Sequence, residues 1–221
     1  MHPDAARAAA FRRVYERHLV VEDIYPALAA RIARDGCRRF CELGGGRGPI
    51  TALLAARGID ASVVDRDEQM VAEASRPAMR GDLRMLPLRS GAFDAAAAIN
   101  CLYFLPDART GLREAKRVLR PGGLLVASCP ARENDPELRD IDPDWGAPSS
   151  FDAEDAPAIV ADVLDVIEVE PWRVVAYILP DRDAVADYLH AFNIPNWGHA
   201  ANRVEVPLSI TKVGAHVWAR A

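Results

Sequence analysis

Lysine is almost missing from this chain: of its 27 basic residues only Lys116 and Lys212 are lysines. Together with abundant alanine, that bias points to a GC-rich bacterial genome rather than to a function. Positive charge is in deficit too, with 32 acidic residues and a formal net charge of −5. A nucleic-acid surface draws on accumulated positive charge, so nucleic acid is not an expected partner. Cysteine is scarce, and Cys37, Cys41, Cys101 and Cys129 form no C-x-x-C pair. Three of them fall in or beside apolar strands, as buried free thiols of a reducing compartment would. His190 and His199 have no obvious third ligand nearby, so no metal is expected. There is no apolar run long enough to span a bilayer, no signal-peptide pattern and no internal repeat. The expectation is a cytoplasmic protein without a membrane partner. Its 221 residues, half of them apolar, suffice for one domain with a full α/β core.

What is present concentrates in Phe40-Cys41-Glu42-Leu43-Gly44-Gly45-Gly46-Arg47-Gly48-Pro49-Ile50. An apolar strand, residues 38–43, runs into glycines at alternate positions, Gly44, Gly46 and Gly48, with Gly45 between them. Lacking Cβ atoms, such a loop takes positive φ and lets a ligand approach the backbone. Pro49 suits the first turn of a helix, whose buried face would carry Ile50, Leu53 and Leu54. Strand, glycine loop and helix N-terminus together make a nucleotide-type cradle. The dinucleotide fingerprint G-x-G-x-x-G/A fails, because Pro49 takes the place of its last glycine. Glu42, two positions before the loop, would repel a pyrophosphate and attract an ammonium.

The chain continues in the same order. Residues 60–67 form a second apolar strand ending on Asp65, a side chain placed to accept from both ribose hydroxyls of a nucleoside. Asp67 suits the cap of a helix starting near Glu68. Residues 79–83 read as a short strand and its exit, and the alanine-rich run 95–98 as a buried central strand. A helix begins after Pro106 with Asp107 as its cap and Leu112, Ala115 and Leu119 on one face. It should end at Arg120-Pro121-Gly122-Gly123, with a strand resuming at Leu124. Alternating strands and helices imply a parallel, doubly wound sheet with its ligand at the strands' carboxyl ends. Glu42, Asp65, Asp82 and Asn100 all fall at such ends.

Glu42-Leu43-Gly44-Gly45-Gly46-Arg47-Gly48 resembles motif I, (D/E)-x-G-x-G-x-G, of the class I S-adenosylmethionine-dependent methyltransferases. Gly81-Asp82 followed by Leu86-Pro87-Leu88 is similar to that family's G-D-x-x-x-L-P-[FL] run, and residues 117–125 to its fifth-strand signature. The resemblance covers residues 36–130 and is nearest to the ubiquinone, menaquinone and natural-product tailoring enzymes. It implies an α/β fold, doubly wound, with a mostly parallel seven-stranded sheet, helices on both faces and an antiparallel last strand. Residues 204–210 and 213–219 would supply the antiparallel final pair around Gly214. One domain would comprise a helical cap (1–35), a cofactor core (36–130) and a C-terminal half (131–221) with an acceptor-side insert (181–202).

The implied cofactor is S-adenosylmethionine, and the implied partner a small-molecule methyl acceptor. Glu42 would orient the methionine ammonium, directly or through water, and the loop Gly44, Gly45, Gly46 and Gly48 would admit the methionine part. Asp65 would hold the ribose, Arg66 flank the adenine, Asp82 and Leu83 read its edge, and Asn100 complete the strand-end set. Tyr15, Tyr103, Asn193 and Trp197 are the expected acceptor contacts. His18, His190 and His199 are candidate general bases, beside the plain reading of each as a surface or packed residue. Asn100-Cys101-Leu102-Tyr103 departs from the [DN]-P-P-[YF] of enzymes that methylate amino groups of bases or glutamine, which disfavours that chemistry. Two other readings stand beside methyl transfer: a silent S-adenosylmethionine-binding module, and a nicotinamide-dinucleotide oxidoreductase.

Overall fold

Period-two alternation of the apolar residues, with both sets buried, governs the central sheet. Ala95, Ala97, Leu124 and Val126 belong to one buried cluster, while Ala96, Ala98, Leu125 and Ala127 belong to another. A strand buried on both faces needs no polar side, which explains near-continuous apolar runs. The computed structural model describes residues 5–74, 77–142 and 144–221. The expected N-terminal cap therefore begins outside the described residues, at positions 1–4.

Two helices, α1 (Ala5–His18) and α2 (Tyr25–Arg34), precede β1 (Arg39–Leu43). There follow α3 (Pro49–Ala55), β2 (Asp60–Asp65), α4 (Glu68–Glu73), β3 (Ala78–Arg80) and β4 (Phe93–Ile99). Then come α5 (Ala108–Val118), β5 (Leu119–Pro130), α6 (Ala156–Ala161) and β6 (Asp165–Leu179). The chain closes with α7 (Arg182–Ala191), α8 (Trp197–Ala201) and β7 (Leu208–Arg220). The sheet has seven strands in the order β3-β2-β1-β4-β5-β7-β6. The pairs β2–β3, β1–β2, β1–β4 and β4–β5 are parallel, and β7 runs antiparallel to β5. Strand order reverses between β1 and β4, so the crevice for a ligand opens at the carboxyl end of β1.

By contacts the chain divides into two compact units. One comprises Met1–Glu22, Arg132–Ala147 and Trp172–Val213; the other comprises Asp23–Ala131, Pro148–Pro171 and Gly214–Ala221. In the second, β1 to β5 are packed by α2 and α3 in one buried cluster and by α5 and α6 in the other. In the first, a separate core gathers Val14, Leu138, Tyr177, Leu179, Val185, Tyr188, Leu189 and Ile210. The expected cap, 1–35, thus contributes α1 to one unit and α2 to the other. Among the described residues no helix is long and apolar enough to cross a membrane.

Two expectations need correction. Leu119 is not on the helix: α5 stops at Val118, and Leu119 is already extended and paired with Phe93. Register then jumps to Ala95 with Leu124, so Arg120-Pro121-Gly122-Gly123 bulges out of β5 instead of preceding it. Pro121 explains the early stop, because it bars Arg120 from helical geometry. Residues 204–210 do not form a strand with 213–219 as its partner either. One strand, β7, runs from Leu208 through Gly214, and its antiparallel partner is β5, with Gly214 facing Pro130.

Candidate cofactor site

The site is built on the ends of β1 and β2. Glu42 sits on β1 and is buried, and its carboxylate accepts from the Ile50 N–H at 3.3 Å, the Thr51 N–H at 2.8 Å and the Thr51 hydroxyl at 2.8 Å. It therefore clasps the first turn of α3 and closes the glycine loop from beneath. Burial is the dominant influence and pushes its pKa up to about 7, against the lowering effect of those three bonds.

Gly44, Gly46 and Gly48 have φ of 61°, 55° and 73°, the left-handed region expected of them. Gly45 is glycine for another reason: a Cβ there would lie 2.5 Å from Cγ of Glu42 and 2.9 Å from Cγ2 of Val63. At Gly44 a Cβ would come within 2.8 Å of Cβ of Cys101. The loop is pinned from β2 as well, by Gly44 N–H donating to the Val64 carbonyl at 2.7 Å and Gly46 N–H to Oδ2 of Asp65 at 2.8 Å. The other oxygen of Asp65 accepts from the Asp67 N–H at 2.9 Å. Each carboxylate oxygen has a second lone-pair direction, so the half-buried Asp65 retains capacity for two further donors. Asp67 caps α4 as expected, accepting from the N–H groups of Gln69 and Met70.

Beyond β3 the segment 81–88 is fixed by size and by one ion pair. A Cβ on Gly81 would lie 2.6 Å from Cδ of Pro87, so this glycine exists to seat that proline. Arg117 holds both oxygens of Glu114 at 2.7 Å and also reaches the carbonyls of Leu88 and Leu86, while Glu114 accepts the Leu86 N–H. Asp82 turns to Arg84, whose guanidinium donates to both its oxygens and lowers its pKa to about 2. Leu83 is half-buried, near Gly44 and Gly111. Arg66 is exposed, and its carbonyl accepts from Nε of Arg80.

Asn100 follows β4 in left-handed conformation, φ 51°, and is exposed. Next to it the Cys101 thiol donates to the Leu43 carbonyl at 3.2 Å, and burial raises its pKa. Tyr103 is half-buried on a short 3-10 turn, residues 102–104, its ring centroid 4.5 Å from that of the exposed Phe104. All four cysteines are free and buried. In Cys37, Cys41 and Cys129 burial raises the thiol pKa to about 12, which leaves them protonated and unreactive.

Glu42, the glycine loop, Asp65, Leu83 and Cys101 therefore form one contiguous set. The acceptor-side candidates other than Tyr103 belong to the first unit: Tyr15 and His18 on α1, His190 on α7, Asn193 beyond it, Trp197 and His199 on α8. There the His190 ring stacks on Trp197 at 4.6 Å and 13°, and Tyr15 stacks on Phe11. Asn193, Trp197 and His199 are exposed. Sequence reasoning missed Thr51, the proton donor beneath the loop, and a buried Asp135–Lys212–Tyr188 cluster in the first unit. The scarcity of lysine was the available signal for the latter.

The open doubly wound sheet with an antiparallel seventh strand is a Rossmann-like methyltransferase fold, with a carboxylate at the end of β2 beside a glycine loop closed from below. Residues 41–127 match the family model described as a methyltransferase domain. That match, together with the relatives named next, supports a class I S-adenosylmethionine-dependent methyltransferase. It is 31% identical over 143 residues to a malonyl-(acyl-carrier protein) O-methyltransferase of Enterobacter lignolyticus, covering 61% of this chain and 57% of that one. It is 39% identical over 101 residues to a demethylmenaquinone methyltransferase of Beutenbergia cavernae, covering 43% and 42%. The chain thus spans about half the length of the curated relatives it matches. An S-adenosylmethionine dependent methyltransferase from Mesorhizobium loti superposes with a TM-score of 0.58 at 20% identity, over 90% of this chain and 97% of that one.

Proposed function

We propose that this protein transfers the methyl group of S-adenosylmethionine to an O, N or C atom of a small organic molecule. The observation that carries this reading is the Asp65 carboxylate, half-buried at the end of β2 and tied to the Gly46 N–H. The residues fit the cofactor: a loop in which Arg47 is the one non-glycine residue between Gly44 and Gly48, one carboxylate with unused acceptor capacity, and a buried acid beneath the loop. When bound, the cofactor supplies an electrophilic methyl on a sulfonium, whose leaving group is a neutral thioether.

Since no departing anion needs stabilising, positioning and exclusion of water carry much of the rate. Asp65 accepts from the ribose hydroxyls. Glu42 sets the loop and, where it ionises, attracts the methionine ammonium. Leu83 and Asp82 border the adenine edge, with Arg66 flanking it and Asn100 at the end of β4; Asp82 must first share its charge with Arg84. Tyr103, Tyr15, Asn193 and Trp197 border the acceptor. His18, His190 or His199 acts as general base if the acceptor is a hydroxyl or carbon acid.

The test is turnover: formation of S-adenosylhomocysteine and of a methylated product with panels of phenols, quinols, carboxylic acids and amines. Product with one class names the acceptor. Cofactor binding without product from any panel would leave a binding module and sink the enzymatic reading. Alanine substitution of the three histidines should spare cofactor affinity, and a variant that loses turnover alone identifies the base.

A further inference from the structure

The first unit contains a polar cluster that the cofactor site does not use. Asp135 is 0% exposed, and its Oδ2 accepts from Nζ of Lys212 at 2.8 Å and from the Tyr188 hydroxyl at 3.0 Å. Its Oδ1 is equally buried and has no hydrogen-bond partner. A buried carboxylate oxygen without a donor is rare in folded proteins and calls for one. The position is built rather than incidental. Asp135 stands in left-handed conformation, φ 53°, held by its own N–H to the Thr211 carbonyl and by Leu138 N–H to its carbonyl. Asn134 accepts from the Val213 N–H, and Glu137, which also faces the pair, accepts from the Thr211 N–H.

Three rings enclose the ammonium. Nζ of Lys212 lies 4.2 Å from the Phe192 centroid, 5.3 Å from that of Tyr188 and 5.8 Å from that of Tyr177. The side chain of Lys212 is 17% exposed. In a chain with only one other lysine, Lys116, a lysine here fits physically. A compact ammonium sits between rings and one carboxylate, where a planar guanidinium fork would need a second acceptor. Only one of its N–H groups is spent on Asp135.

We infer that Asp135 and Lys212 form a recognition site for an uncharged hydroxyl-bearing aromatic molecule. The ligand hydroxyl donates to Oδ1 of Asp135, its oxygen accepts from Nζ of Lys212, and its ring joins Phe192, Tyr188 and Tyr177. Tyr188 already shows how a phenol docks on this carboxylate, through Oδ2. The pair carries no net charge: a carboxylate ligand would meet Asp135, and an ammonium would meet Lys212, each as a like charge. Lys212 and Phe192 are partly exposed, whereas Asp135 and Tyr188 are buried.

The test titrates the full-length protein with 2-naphthol, naphthalene and 2-naphthoate, read by ligand fluorescence, alongside calorimetric titration with S-adenosylmethionine. Wild type should bind 2-naphthol about tenfold more tightly than either analogue. Asp135→Asn and Lys212→Met should bring that preference to within about twofold, with affinity for S-adenosylmethionine unchanged. Tyr188→Phe removes the competing phenol, leaves the pair in place and should keep the preference, which secures the test if Asp135→Asn fails to fold. Equal binding of the three probes by wild type, or an undiminished preference in Lys212→Met, overturns the site. Loss of S-adenosylmethionine binding in wild type, with the naphthol preference intact, would instead fell the methyl-transfer reading alone.

Discussion

At the scale of single residues, Glu42 is both the most legible position in the sequence and the one whose contacts were least foreseeable. Its place before the glycines is a sequence fact, but the direction of its carboxylate is not. The side chain folds under the loop onto Thr51 and Ile50, contacts set by where α3 begins. With a folded pKa of about 7 against an ordinary value of 4.5, the folded protein holds a proton that the unfolded chain releases. Glu42's contribution to stability is therefore complete below about pH 4.5 and is lost as pH rises through about 7. Urea unfolding should show wild type losing stability relative to Glu42→Gln between about pH 5 and pH 8. Parallel profiles would contradict the burial argument. Thr51→Val removes the hydroxyl donor from this buried acid and should cost about 1–2 kcal/mol by the same measurement.

Among the elements, the glycine loop and α5 show what local pattern does and does not encode. Positive φ at Gly44, Gly46 and Gly48 was readable from their alternate spacing, whereas the crowding at Gly45 depends on Glu42 and Val63 and was not. Two substitutions separate these causes. Gly45→Ala should destabilise by about 1–3 kcal/mol through overpacking and abolish cofactor binding. Gly46→Ala, whose Cβ would meet only Sδ of Met70 at 3.9 Å, should cost about 1–2 kcal/mol through left-handed strain alone. Thermal unfolding of both variants checks the order, and equal losses would argue against two mechanisms. The end of α5 was misread because Leu119 fits the helical period; its pairing with Phe93 decided otherwise. Arg117, legible only as part of a family signature, proves to tie Glu114 to the Leu86–Leu88 backbone.

For the whole molecule, legibility follows the separation of contacts along the chain. The order of β1 to β5, the glycine loop after β1 and the carboxylate at the end of β2 were readable because each is a strand, a loop and a helix in succession. The first unit was not: Asp135 and Lys212 are 77 residues apart, and neither lies in a motif. The last strand was expected to be antiparallel and is, yet it lies between β5 and β6 and pairs antiparallel with β5 instead of with its own preceding segment. The central claim is that Asp65 and the glycine loop hold S-adenosylmethionine. Calorimetric titration of wild type and Asp65→Ala with S-adenosylmethionine, S-adenosylhomocysteine and NAD tests it most directly. The account predicts roughly micromolar binding of the first two by wild type, none of NAD, and a loss of about tenfold or more in Asp65→Ala. Binding of NAD alone, or an unchanged affinity in Asp65→Ala, would contradict it.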